Sequence, residues 1–233
     1  MHASFVPLRV FSSYSMLEGA IEPKNIAKLA KSNGFPAIAL CDRNGLYAAG
    51  AFAAACMGTG VQPIVGALLG VVRDGEDTID HLPLLVQDEA GWLNLCHLVS
   101  QAHLHRPLEQ EPHVTLADLV GHTDGLIALT GASEGGVTRL LAANRPNQAE
   151  ALMLRLSQLF AGRLYVELAR RGDATEDAAE DGLVELAYAH DLPLVATNPA
   201  NFAEAHMHKA HDAMLCIANS SQIDSADRPR SMP

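Results

Sequence analysis

Side chains that could do chemistry stand where short apolar runs of this sequence end. Ser12, Ser13 and Ser15 follow the first run, and Asp42 and Asn44 follow the second. A serine hydroxyl becomes a nucleophile when a base lies beside it, and no histidine occurs in this motif. An Asp-x-Asn-Gly sequence is equally suited to the tight turn that leaves a strand. We therefore expect turn or cap roles at both places.

Histidines gather in two segments, where their spacing raises the question of a metal site. They are His97, His103, His105, His206, His208 and His211. The same spacing is typical of a solvated or partly buried helix face, which is the favoured interpretation, with a packing role for the last of them. The sequence contains no GxxxxGK or GxGxxG phosphate loop, and its four cysteines form no CxxC pair.

Composition excludes several classes of protein. The 233 residues include 27 acidic and 16 basic side chains, so the formal net charge is −11. With 48% hydrophobic residues the chain has the composition of a globular protein. The excess of acidic residues argues against binding of a nucleic-acid backbone over a broad surface, because such binding needs a basic face. Residues 1–15 lack the pattern of a signal peptide, and no apolar run reaches the roughly 18 residues of a membrane span. We expect a cytoplasmic protein that makes no membrane contact.

The elements that must position these residues alternate along the chain. Seven apolar runs predict strands at 5–11, 36–41, 63–72, 81–86, 125–130, 164–168 and 192–197. Helical patterns cover 23–32, 46–57, 89–103, 148–160, 176–190 and 206–219. Near-continuous apolar strands are typical of a parallel sheet covered on both faces. The alternation predicts an α/β barrel or a doubly wound sheet, with the site at the carboxyl ends of the strands.

Longer segments of the sequence resemble a known family. FVPLRVFSSYSMLEGA, GFPAIALCDRNGLYAAGAF and GVQPIVGALLGV are similar to the N-terminal PHP (polymerase and histidinol phosphatase) domain of the bacterial DNA polymerase III alpha subunit. The segments HLPLLVQDEAGWLNLCHLVSQAHL, DGLIALTGASEGGVTRLL and DLPLVATNPANF continue the resemblance in the same order. It implies an α/β fold, a distorted seven-stranded β/α barrel of the PHP type. It also implies a domain over residues 1–219, with 220–233 as the start of a linker toward polymerase domains.

The resemblance places most ligand positions of metal-binding PHP members on residues that cannot hold a metal, and it leaves Glu18 and His81 as residues that could. These positions are Arg9, Phe11, Glu18, Arg43, Leu68, His81, Ala132, Pro199 and Asn201. An arginine carries a permanent charge, so it repels a cation and cannot coordinate one. We therefore expect no metal, no cofactor and no catalytic residue. In their place we predict a charge network of Arg9, Glu18, Asp42, Arg43 and Glu167.

The function implied by the resemblance belongs to a larger parent. In full length that parent is a DNA-directed DNA polymerase, a nucleotidyltransferase that uses Mg²⁺, whereas this domain is expected to be catalytically degenerate. Its implied partners are the proofreading exonuclease subunit, other polymerase III subunits and the remaining polymerase domains in cis, with DNA reached only through the parent. One alternative is a metal-dependent phosphoesterase or 3′–5′ exonuclease that uses Glu18, Asp42 and His81. Another is a free-standing regulatory or interaction domain.

Overall fold

A computed structural model of the chain describes residues 5–231. These residues form two compact units. The first unit holds the described residues up to 42, residues 47–65 and the residues from 198 onward. The second unit holds residues 43–46 and 66–197.

The helices and strands of residues 5–231 follow one another in an α/β order. They are α1 (Pro23–Ser32), β1 (Ala37–Arg43), α2 (Ala49–Thr59), β2 (Gln62–Val72), β3 (Ile79–Val86), α3 (Glu89–Leu104), β4 (Val114–Thr115), β5 (Leu126–Leu129), α4 (Gly136–Ala142), α5 (Pro146–Leu159), β6 (Leu164–Leu168), α6 (Ala174–Ala189), β7 (Leu194–Ala196) and α7 (His208–Ala218). No helix in this part of the chain combines the length and the apolar character needed to cross a membrane.

Helices α1 and α2 pack together in the first unit and share its apolar core with β1. Helix α1 begins at a proline, whose missing N–H would have no partner at that position in any case. It turns Ile26 inward, and α2 contributes Phe52 and Cys56 to the same core. Helix α2 ends where Gly60 adopts a left-handed backbone with φ 72°. The core thus follows from apolar residues at helical spacing and from a glycine stop.

The strand predicted at 5–11 is not a regular strand. Val10 forms isolated parallel bridges to Leu40 of β1 and to Ala200. The N–H of Cys41 donates to the carbonyl of Val10 at 2.8 Å, and the N–H of Phe11 donates to that of Ala200 at 3.0 Å. A proline at position 7 lacks the N–H that a longer ladder would need. The segment is therefore held between two neighbours over only a few residues.

The sheet of the second unit is mixed, so the prediction of a parallel sheet is wrong. Its strand order is β2-β3-β5-β6-β7, with β4 beside β2. Strand β3 runs antiparallel to both β2 and β5, whereas the β2–β4, β5–β6 and β6–β7 pairs are parallel. An apolar run is typical of a strand that is covered on both faces, and it carries no information about the direction of that strand. A short connection, residues 73–78, joins β2 to β3 and imposes the antiparallel pairing.

Helices α3, α4, α5 and α6 bury their apolar faces in one core with this sheet. The Asp88 side chain caps α3 by accepting from the N–H of Gly91 at 3.0 Å. The Asp173 carboxylate caps α6 by accepting from two backbone N–H groups. Helix α4 and strand β4 were not predicted. The first has 7 residues and opens on glycine, and the second has 2 residues, so neither carries a full period of its pattern.

A tail segment, residues 221–231, packs against α7 in the first unit. Arg228 donates to both carboxylate oxygens of Asp212 at 2.7 Å, and the N–H of Ser231 donates to one of them at 3.0 Å. The hydrogen bonds from Arg228 hold the pKa of Asp212 far below its usual range. Two parallel hydrogen bonds from one guanidinium to one carboxylate fix the orientation of the two groups as well as the distance between them. The described part of the predicted linker therefore has a defined path along α7.

Candidate functional site

A buried imidazole with three charged partners forms a polar cluster in the second unit. We call it the His81 cluster, and its members are Arg43, His81, Glu111 and Glu134. The Nε2 atom of His81 lies 3.0 Å from Oε1 of Glu111, and Nδ1 lies 3.8 Å from Oε1 of Glu134. Arg43 donates to the same Glu134 oxygen at 2.7 Å and lies 4.0 Å from Glu111. One imidazole and one guanidinium therefore lie against the same two carboxylates.

Four different parts of the chain bring the His81 cluster together. Arg43 is the last residue of β1, and His81 is the third residue of β3. Glu111 lies in the loop between α3 and β4, and Glu134 ends a short 3-10 helix that follows β5. The sheet fixes the first two positions, and the two loops carry the carboxylates to them.

Electrostatics favour the ionised form of Glu111. Its pKa lies below the usual range, first because His81 hydrogen-bonds the carboxylate and also because of the charge of Arg43. Partial burial and the neighbouring charge of Glu134 act in the opposite direction. The hydrogen bond and the guanidinium prevail. In the cluster the ionised carboxylate of Glu111 is thus stabilised by an imidazole hydrogen bond and by a nearby guanidinium.

The donor set of the His81 cluster does not fit the metal centre of a PHP enzyme. A cation would need the imidazole and both carboxylates to turn their lone pairs toward one point. Here the imidazole is already bonded to Glu111, and Arg43 binds Glu134 with a permanent positive charge. Within residues 5–231 no group of three or more His, Cys, Asp or Glu side chains could hold a metal ion.

Asn44 supports the His81 cluster from the turn after β1. Its Oδ1 accepts from the N–H of Gly70 at 2.7 Å, and its Nδ2 lies 3.5 Å from Glu111. The Nε2–H of His103 donates to the carbonyl of Asn44 at 2.7 Å. Asn44 adopts φ 48°, which asparagine tolerates better than most residues. The Asp-x-Asn-Gly sequence forms a turn, as predicted, and this turn also orients a carboxylate.

Asp42 lies in the first unit, where serines hold it. Its carboxylate accepts from the N–H and the hydroxyl of Ser12, both at 2.7 Å, and from the hydroxyl of Ser15 at 2.8 Å. Burial raises the pKa of Asp42, although these hydrogen bonds act in the opposite direction. Ser12 and Ser15 therefore serve as donors to a buried carboxylate, which is a structural use of the hydroxyls.

Glu167 of β6 is also fully buried and has neutral partners in the second unit. The N–H of Gly131 donates to one carboxylate oxygen at 3.0 Å, and the hydroxyl of Thr197 donates to the other. The backbone N–H of Glu167 in turn donates to the hydroxyl of Thr130 at 2.9 Å. These contacts tie the end of β5, the middle of β6 and the end of β7 together.

The other predicted ligand positions are largely apolar and buried. Phe11, Leu68 and Ala132 lie in the core, and Arg9 is buried with its guanidinium carbon 5.9 Å from the ring centroid of Phe11. Glu18, Pro199 and Asn201 are partly exposed. The charge network predicted among Arg9, Glu18, Asp42, Arg43 and Glu167 stays a prediction.

Sequence reasoning missed Glu111 and Glu134 as partners of Arg43. Glu134 follows the predicted strand at 125–130, so its position at a strand end was a usable signal. Glu111 lies in a polar loop with two prolines and gives no such signal. Of the clustered histidines, His103 contacts Asn44, while His97 stacks on His122 with ring centroids 4.0 Å apart.

Comparisons with known proteins identify the family of this chain. The family model of the PHP domain matches residues 7–171. The DNA polymerase III subunit alpha of Caulobacter vibrioides is 42% identical over 235 residues, which cover 98% of this chain and 21% of that protein. The same subunit of Rickettsia conorii is 35% identical over 228 residues, covering 98% and 19%. The chain therefore spans about a fifth of the length of these curated relatives.

A solved structure supports the fold at low sequence identity. A putative metal-dependent phosphoesterase from Bifidobacterium adolescentis superposes with a TM-score of 0.60 at 13% identity, over 87% of this chain and 90% of that one. At this identity the likeness shows the fold alone. It confirms the predicted fold class, an α/β fold of the distorted β/α barrel type found in PHP proteins. The chain belongs to the PHP domain family.

Proposed function

We propose that this chain is the N-terminal PHP domain of a DNA polymerase III alpha subunit, that it carries no catalytic centre of its own, and that it acts as a scaffold and a docking surface for the proofreading exonuclease subunit. The identity of 42% over 98% of the chain supports the assignment to that subunit. Template-directed synthesis then belongs to the parent and takes place in the cytoplasm. The domain covers residues 1–219, and residues 220–233 lead toward the polymerase domains.

The observation that best supports a domain without hydrolytic activity is the Arg43–Glu134 ion pair at 2.7 Å beside His81. Metal-dependent hydrolysis of a phosphoester needs a cation to activate water and to neutralise the developing charge. Arg43 supplies a fixed positive charge beside Glu134 and His81, but a guanidinium cannot activate water. A domain of this kind keeps the barrel fold without the reaction. Proofreading then has to come from a separate subunit.

A metal-dependent phosphoesterase or 3′–5′ exonuclease is the alternative, favoured by the fold of the Bifidobacterium protein and by the imidazole of His81. Metal analysis and hydrolysis of bis-p-nitrophenyl phosphate by the full-length subunit decide between the two. We expect no stoichiometric zinc, manganese or iron and no hydrolysis that depends on His81. Bound metal, together with hydrolysis lost in His81→Asn and kept in the exposed control His97→Asn, would establish the alternative.

The scaffold role is tested by hydrogen exchange of the full-length subunit with and without the exonuclease subunit. We expect slower exchange in at least one peptide within residues 1–233 when the exonuclease is added at saturation. A catalytically inactive exonuclease variant serves as a second ligand, because docking does not depend on its chemistry. Unchanged exchange throughout residues 1–233, in a mixture that forms the complex, would refute docking on this domain.

A further inference from the structure

Helix α1 presents three lysines on one exposed face. Lys24, Lys28 and Lys31 follow one another at spacings of four and three residues, which places them on one side of a helix, and all three are exposed. We call these three residues the lysine face. They are three of the four lysines in the sequence. The opposite side of α1, with Ile26 and Ala30, is buried in the core of the first unit, so the lysine face points to solvent.

Within residues 5–231 the lysine face has no ion-pair partner. The ion pairs in this part of the chain use arginine or histidine as their cation. Between residues 23 and 72 the only acidic residue of the sequence is Asp42, which is buried. The same segment has four basic residues, so its net charge is +3 in a chain of −11. Positive charge is therefore concentrated on a small part of an acidic protein.

The lysine face works against the stability of its own helix. Like charges at spacings of three and four residues repel each other across a helix surface. Lys24 also lies in the first turn, where the partial positive charge of the helix dipole disfavours a cation. Glu22 is two residues from Lys24, a spacing at which side chains on a helix do not face each other. An arrangement that destabilises its helix, without a compensating ion pair in residues 5–231, indicates a use outside the fold.

The neighbouring helix keeps the lysine face accessible to a large anion. Helix α2 packs against α1 and carries no charged residue, and its exposed positions are mostly glycine and alanine. A polyanion that reaches the lysine side chains therefore meets no carboxylate on α2. The aromatic residue of the two helices, Phe52, is fully buried. Single-stranded nucleic acid is bound by stacking its bases on exposed aromatic rings, so these helices are not suited to it.

We propose that the lysine face binds the phosphate backbone of duplex DNA in the full-length subunit. The proposal rests on the proposed function, because binding of primer and template by the parent raises the effective concentration of duplex at this domain. From Lys24 to Lys31 the helix rises by about 10 Å, a length of duplex over which each strand carries about three phosphates. Lysine is a compact, mobile charge that suits phosphates, whereas the carboxylates of a protein partner are matched better by arginine. Contacts of this kind carry no base-sequence information.

The test measures binding of a fluorescent DNA duplex to the full-length subunit, by anisotropy over a series of salt concentrations. The lysine variant combines Lys24→Gln, Lys28→Gln and Lys31→Gln. We expect its plot of log binding constant against log salt concentration to be less steep by about 2 to 3, since each phosphate contact contributes roughly 0.9 to the slope.

The matched control removes three exposed positive charges from other elements. It combines Arg155→Gln of α5, Lys209→Gln of α7 and Arg230→Gln of the tail segment, and it should leave the slope unchanged. An unchanged slope in the lysine variant, or an equal change in the control, would overturn the proposal.

Acetylation of lysines in the unaltered full-length subunit gives a second readout that needs no variant. We expect duplex DNA to slow the modification of the lysine face several-fold, as followed by mass spectrometry, and to leave the exposed Lys209 unaffected. Equal rates with and without duplex, or protection by the exonuclease subunit alone, would overturn the proposal.

The two experiments separate this proposal from the proposed function. A full-length subunit that binds no duplex at all would refute both. Duplex binding with an unchanged slope in the lysine variant would refute the proposal about the lysine face and leave the proposed function intact.

Discussion

Replacing Asp42 tests whether a buried carboxylate organises the first unit. Asp42→Ala removes the acceptor of three hydrogen bonds from Ser12 and Ser15, and all of these groups are buried. Asp42→Asn keeps the shape and one acceptor oxygen, and its amide can donate to a serine hydroxyl. We expect the alanine variant to be strongly destabilised and the asparagine variant to be mildly destabilised.

The size of the effect follows from the donors that lose their partner. A buried donor without an acceptor costs roughly 1–3 kcal/mol. The N–H of Ser12 cannot turn away, whereas the two hydroxyls can rotate toward other acceptors, so about 1 kcal/mol for each donor is appropriate. The alanine variant should therefore lose about 3 kcal/mol of unfolding free energy, and the asparagine variant about 1 kcal/mol.

The dependence on pH has a defined sign. Burial raises the pKa of Asp42 in the folded protein above the unfolded value near 3.8. Its contribution is therefore fully present below that unfolded value and is lost as pH rises through the folded pKa. Asparagine does not titrate in this range. The deficit of Asp42→Asn relative to the original protein should therefore shrink as pH rises.

Urea denaturation of the 233-residue chain, followed by circular dichroism between pH 4 and pH 8, measures both effects. Ser220→Ala, at an exposed position of the first unit, is the control and should change the unfolding free energy by less than 0.5 kcal/mol. The reasoning is refuted if Asp42→Ala costs under about 1 kcal/mol, or if the deficit of Asp42→Asn grows with pH.

Three further predictions concern other contacts. Gly91→Ala would place a Cβ 1.9 Å from the carbonyl oxygen of Gly125, so we expect it to lower the unfolding free energy measured in urea by at least roughly 2 kcal/mol. Gly58 is the matched control, a helical glycine with open space around it, and Gly58→Ala should raise the unfolding free energy by up to about 1 kcal/mol. Glu111→Gln should lower the unfolding free energy by about 0.5 kcal/mol at neutral pH, once the screening by solvent is included. Below the pKa of Glu111 in the folded protein the variant should cost nothing, because the contacts that lower this pKa stabilise only the ionised carboxylate. An equal cost at pH 7 and at low pH would contradict this. Asp212→Asn should speed hydrogen exchange in the tail segment, because the fork to its arginine is broken; unchanged exchange there would show that other contacts hold the tail segment.

Apolar patterning predicted most elements of this fold because burial on both faces leaves a readable run of residues. The runs at 63–72 and 164–168 appear as β2 and β6. The direction of a strand leaves no trace in its own residues; the signal for the reversal of β3 was the short gap between the runs at 63–72 and 81–86, which is too short for a parallel crossover. The first predicted strand failed for a related reason, since Val10 and Phe11 are buried while few backbone groups of this segment form ladder bonds.

The polar sites were harder to predict than the elements. Arg43 and His81 were found because both lie on strands, where the resemblance gave each a position. Their partner Glu111 is separated from Arg43 by 68 positions and lies in a loop, and Glu134 lies in a short 3-10 helix. Long-range ion pairs depend on where loops fold back, and one sequence contains no signal for that.

The reversed direction of β3 changes how many loops can surround the His81 cluster. Gly70 near the end of β2 pairs with His81 near the start of β3, so the connection at 73–78 emerges at the rim where β2 ends. With every strand in the same direction, the link between them would have to cross back from the opposite rim. The antiparallel strand β3 thus places one more loop, residues 73–78, at this rim of the sheet. Insertions in that loop would change the surface beside the His81 cluster without lengthening any strand.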